Sequence, residues 1–218
     1  VRESIRRNDD RSELLVKLFQ LVVFGIFGLF YAFSRKPDPM TFSHLPAVLS
    51  IYLAVTLLLL LYAAYRSLPD WLVYASILVD VLLLTYLIWS FHLQYMQPAA
   101  YSLKAPEVIN YLLLIGLRAM RFQIRHVLAA GFLSAFAWLF LVVYIITTSM
   151  DGSTITRDYV TYLTSNSVLI GAEVAKIISM LMFTAILALA VRRAHNFLVR
   201  AVSESTAADD LSRFFPDA

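Results

Sequence analysis

The chain has 218 residues, 60% of them hydrophobic and 15% charged, with a mean hydropathy of +0.73. Soluble domains run at about 45–50% apolar and about 25% charged, so a cytosolic domain and a disordered tail are both excluded. With no cysteine there is no disulfide framework, Fe–S cluster, thiolate zinc site or catalytic thiol. The net charge of +3 is too small for a nucleic-acid-binding surface, and its placement along the chain matters more than its total. The composition is that of a protein integral to a lipid bilayer.

A bilayer-crossing helix needs roughly 20 mostly apolar residues, and six segments are candidates. They run from Leu14 to Ser34, Phe42 to Tyr65, Trp71 to Tyr95, Pro106 to Leu117, Ile124 to Thr147 and Val168 to Val191. The fourth is short and extends at most to Phe122. The expected fold is all-α: a polytopic six-transmembrane-helix bundle over residues 14–193. A cytoplasmic segment, 1–13, precedes it, and a helical cytoplasmic exit, 194–218, follows.

Lys and Arg are retained on the cytoplasmic side of a membrane. One set of connections carries 13 of the 18 basic residues, among them Arg2, Arg6, Arg7, Arg11, Lys17, Arg66, Arg118, Arg121, Arg125, Arg192 and Arg193. The opposite set holds Arg35, Lys36, Lys104 and Arg157, and Lys176 lies inside a span. Both termini are therefore expected in the cytoplasm. The charged segment before Leu14, and Arg35-Lys36 after the first span, argue against a cleaved leader despite the small residues Ala32 and Ser34. The turn at Ser67-Leu68-Pro69 is tight and makes its flanking helices antiparallel neighbours. The link from Met150 to Ser167 is long enough to be functional.

The four histidines fall at two depths. His44 lies 22 residues before Arg66 and His92 lies 22 residues after Asp70, which puts them at one height near the outer ends of antiparallel neighbours. His126 and His195 sit near the cytoplasmic ends of the fifth and sixth spans. Two imidazoles at one depth on different helices are what axial ligation of a haem iron requires. The lack of a Cys-x-x-Cys-His sequence leaves b-type haem. The spacing predicts two haem b groups, with His44, His92, His126 and His195 as axial ligands of the iron. Arg118, Arg121 and Arg125 are placed to meet propionates. Zinc fits poorly, because it prefers four ligands, or three plus water. The competing reading of each histidine is an interfacial or carbonyl-bonded side chain.

Asp80 lies in the middle of the third span, and Glu173 and Lys176 stand one turn apart in the sixth. The last two can neutralise each other as an i,i+3 pair. Ionisable groups inside spans are functional candidates, and Glu173 and Lys176 would line an outer pocket for a small redox partner such as a quinone. Met180 and Met182 read as packing residues. Trp71, Trp89, Tyr95 and Tyr101 near span ends read as an interfacial belt.

The pattern from Val191 through Val202 contains no helix breaker and continues into Leu211-Ser212-Arg213-Phe214-Phe215-Pro216. That last segment resembles the one that precedes the catalytic domain of bacterial class III adenylate cyclases, and six spans before it are similar to their hexahelical membrane anchors. The paired histidines resemble the diheme-b, redox-sensing type of that anchor, which is similar to the cytochrome b subunits of succinate dehydrogenase and fumarate reductase. The resemblance implies a sensor domain in a bacterial inner membrane, a homodimer, and residues 194–216 acting as transducer to a catalytic domain outside this segment. This segment itself would not be an enzyme, because no metal-binding aspartates of a cyclase are in it. Two other functions suit the same residues: a cofactor-free ligand-receptor anchor of a cyclase, and a diheme electron-transfer subunit of a respiratory complex.

Overall fold

A computed structural model describes residues 14–23, 25–26, 28–29, 33, 45–65, 69–148 and 155–214. His44, the segment 1–13, Arg35-Lys36, the Arg66–Leu68 turn, and residues 149–154 and 215–218 lie outside the described residues. The described residues are helical almost throughout, with no strand beyond one isolated bridge between Ile155 and Val168.

In chain order the helices are α1 (Leu14–Val23), α2 (Leu45–Tyr65), α3 (Asp70–Gln94), α4 (Ile109–Ala119), α5 (Ile124–Thr148), α6 (Tyr159–Thr164) and α7 (Ile170–Phe214). Two 3-10 turns, Ala99–Lys104 and Pro106–Val108, lead into α4. Among the described residues four helices are long and apolar enough to cross a membrane: α2, α3, α5 and the first part of α7. Their outward faces carry large apolar side chains such as Leu58, Leu82, Phe136 and Ile186, as lipid contact demands and water would penalise.

The fourth segment forms an 11-residue helix, too short to cross alone. The two 3-10 turns before it rise more steeply per residue than an α-helix, so residues 99–119 together make the return path from the far end of α3. Pro98 and Pro106 explain the change of helix type. A proline has no N–H for an α-helical ladder, and each stands at the start of a 3-10 turn. Phe122 closes the turn into α5 with φ 54°, a left-handed conformation uncommon for a bulky residue.

Arg125 pairs with Asp70 at 3.0 Å, so α3 and α5 begin at the same end, here called the basic end. The 3-10 turns and α6 gather at the other, the loop end. Helix α5 is the hub, packed against α3, α4, α7 and the first 3-10 turn. Lipid tails give no hydrophobic drive for helix association, so close backbone approach and internal hydrogen bonds must hold such a bundle. The α5–α7 seam follows that rule, with Ala130, Gly131, Ser134 and Ala135 buried on α5 and Met180, Thr184 and Val191 buried on α7.

Gly131 is the tightest point. A Cβ there would lie 2.0 Å from Thr184 Oγ1 and 2.7 Å from Thr184 Cβ. Gly131→Ala should therefore push the two helices apart and cost about 1–3 kcal/mol. Adding Thr184→Ala should recover only part of that loss, because its Cβ still obstructs. Thermal unfolding of the two variants in detergent measures both effects.

Candidate functional site

Three polar centres lie within the bundle, at different levels. The middle one is built on Asp80 of α3, which is 4% exposed. Arg118, from the last turn of α4, donates through Nη2 to Asp80 Oδ2 and to Ser76 Oγ at 3.2 Å. Gln20 of α1 donates to Asp80 Oδ2 at 2.9 Å. Lys17 Nζ donates to Ser76 Oγ at 2.8 Å and to Gln20 Oε1 at 3.0 Å. Tyr52 of α2 also stands beside Asp80. One carboxylate thus joins four helices.

This corrects the expectation for two basic residues. Lys17 and Arg118 are not part of the cytoplasmic charge set; both are buried, at 1% exposure. Arg118 is therefore not free to meet a propionate. The reason is physical: Asp80 could not be ionised within apolar surroundings without a partner, and Arg118 supplies a forked donor at its level.

The loop-end centre is built on Glu173, 1% exposed in the first turn of α7. Trp138 Nε1 of α5 donates to Glu173 Oε2 at 3.1 Å. Lys176 Nζ reaches both carboxylate oxygens at 3.0 Å, the i,i+3 pair expected from the sequence. The same ammonium donates to the Leu103 carbonyl at 2.6 Å and lies 4.9 Å from the centre of the Trp138 ring. Tyr162 of α6 also stands beside Glu173. Lys104 donates to the carbonyls of Tyr162 and Ser165, and burial holds its pKa below the ordinary lysine value. At the start of α6, Asp158 accepts from the backbone N–H groups of Val160 and Thr161. With the Thr161 hydroxyl added, these donors hold its carboxyl below the usual range.

The third centre surrounds His126 at the basic end. The imidazole is wholly buried, 5.2 Å from the Tyr74 ring, and neither ring nitrogen has a hydrogen-bond partner. Val127 beside it packs in one cluster with Val73 of α3 and Val191 of α7. Helices α5 and α7 run antiparallel with Gly131 against Thr184, so His126 lies near the level of Leu189, and His195 stands roughly 9 Å further along α7. His195 itself is exposed.

Near the loop end, His92 is 9% exposed, and its Nδ1 lies at the Trp89 carbonyl. That contact is the one a metal-ligating histidine commonly makes with its other nitrogen, and it leaves Nε2 for another partner. His44, the expected opposite ligand, is outside the described residues.

As a test of fit for haem, His92 keeps Nε2 clear of the Trp89 carbonyl contact. His126 offers no such nitrogen: both of its own are enclosed by protein, and a porphyrin would enter only if the helices parted. Among the described residues no three His, Cys, Asp or Glu side chains group as for a bare metal ion.

Sequence reasoning singled out Asp80, Glu173 and Lys176 but missed their partners. Lys17, Gln20 and Arg118 were hidden by proximity to span ends, and Trp138 by its apolar neighbours. Tyr162 and Lys104 lie in connecting segments, where periodicity carries no information.

Removing one member of the Asp80–Arg118 pair strands a buried charge. Asp80→Leu or Arg118→Met alone should each cost about 3–5 kcal/mol, and the double variant clearly less than the sum. Thermal melts of the four proteins complete that cycle.

No protein-family model, no curated protein and no solved structure matches this chain.

Proposed function

We propose that this chain is the membrane-embedded regulatory domain of a class III adenylate cyclase. In this reading six helices cross the membrane, both termini are cytoplasmic, and α7 passes the state of the loop end to a catalytic domain that follows Pro216. The observation that carries the reading is the length of α7, an unbroken 45 residues from Ile170 to Phe214. About 20 residues cross a bilayer, so the helix projects on the order of 35 Å beyond the level of Val191. One end of it holds the buried Glu173 centre, and the other carries the Leu211–Phe214 segment that resembles a cyclase transducer. A respiratory electron-transfer subunit would have no use for such a projection.

Two copies are implied, because class III homodimers build their active sites between paired catalytic domains. A signal at the loop end, a small ligand such as a quinone, acts only if it binds one arrangement of α7 better than another. To test the reading, the chain is joined at Pro216 to a class III catalytic domain and one to four alanines are inserted after Arg200. Each insertion turns the helix beyond it by about 100°. Cyclase output should fall with one or two insertions and return towards the parent value with four, about one full turn. Output indifferent to the whole series would overturn the reading.

A second reading is favoured by the His92–Trp89 contact: a b haem held by His92 and His44, supplying one-electron chemistry at the loop end. Membranes from haem-supplied cells should then give a reduced-minus-oxidised b-type spectrum. His92→Ala should remove the band belonging to that site. A spectrum without any such band in the parent protein would rule the haem out and leave the transducer reading standing.

A further inference from the structure

Residues 155–168 form a strap across the loop end. The Thr156 N–H donates to the Val168 carbonyl at 3.0 Å, closing the strap on itself. Three attachments then hold it to the helices. Asn166 Nδ2 donates to Gln97 Oε1 at 3.2 Å. Lys104 Nζ donates to the Tyr162 and Ser165 carbonyls and stands 4.9 Å from the centre of the Tyr162 ring. Finally, the Tyr162 side chain stands beside Glu173 of α7.

The Lys104 attachment has the form of a ligand site. Two carbonyl oxygens take two of the three ammonium donors, and an aromatic ring adds its negative face. Tyr162 also brings the site to α7, since its carbonyl accepts from Lys104 while its side chain stands beside Glu173. The residue before Lys104 adds a second link, because the Leu103 carbonyl accepts from Lys176.

We propose that the Tyr162 and Ser165 carbonyls, with the Tyr162 ring, form a binding cage for a primary ammonium ion. The chain's own Lys104 fills it, and its filling latches the strap onto the first turns of α7. The ligand is tethered, and the cage is where the loop end fixes the beginning of the long helix. The inference is independent of what α7 drives, so its test reads the structure and not an activity.

The test uses hydrogen exchange by mass spectrometry on the full chain in detergent. Lys104→Ala should raise exchange in 155–168 and in 170–176 together, by at least about tenfold for the loss of two charge-assisted bonds. Added n-propylammonium, the part of the side chain that this substitution removes, should restore protection to both segments. Propan-1-ol should not. Lys104→Met fills the space without the charge, and should loosen both segments and resist rescue.

Failure of rescue, equal rescue by the alcohol, or wild-type exchange in Lys104→Met would overturn the cage. Loosening of 155–168 in Lys104→Ala with 170–176 unchanged would overturn the latch.

Discussion

A charge inside a bilayer must be answered from within the protein, and this bundle is arranged around one such answer. Asp80 lies ten residues into α3, roughly 15 Å from its start. Its carboxylate accepts from Arg118 of α4 and Gln20 of α1, with Tyr52 of α2 beside it. These bonds carry direction, which apolar packing among lipid-like side chains does not. They set which face of α1, α2 and α4 turns inward. Helix α5, without a comparable group at that depth, associates instead through small residues and the close approach of Gly131 to Thr184. The bundle thus uses two kinds of adhesion, a polar knot on one side of α3 and a tight backbone seam between α5 and α7.

The two kinds divide the molecule by role. The polar knot ties the helices that form the body of the domain. The seam carries α7, which among the described residues is the helix that continues far past the basic end. Glu173 joins that helix to the hub through Trp138 and to the strap through Tyr162, so the beginning of α7 is held from two sides.

Much of the helical layout was legible in the sequence because long apolar runs have few alternatives in a membrane. The bounds of α3, α5 and the start of α7 follow hydropathy closely. The fourth segment was harder, because two prolines replace its first turns by 3-10 helix and leave too few apolar residues for a span. Charge placement misled at Lys17 and Arg118: near a span end, a basic residue that faces water and one that faces a buried acid have the same local sequence. Only Asp80, unusual where it stands, hinted that a cation was needed nearby. The surroundings of the histidines were not legible. His126 is sealed beneath Tyr74, while His195, further along α7, is open. The strap was opaque, since its contacts join residues some 60 positions apart.

Between Gly171 and Phe214 the last helix contains neither glycine nor proline. Bends in helices concentrate at such residues, so this stretch behaves as a stiff rod with no built-in joint. A rod of that kind relays sliding along its axis and turning about it, and filters out sideways flexing. Whatever shifts the strap end by a fraction of a turn reaches the far tip as the same fraction of a turn, some twenty-five ångströms or more from where lipid ends.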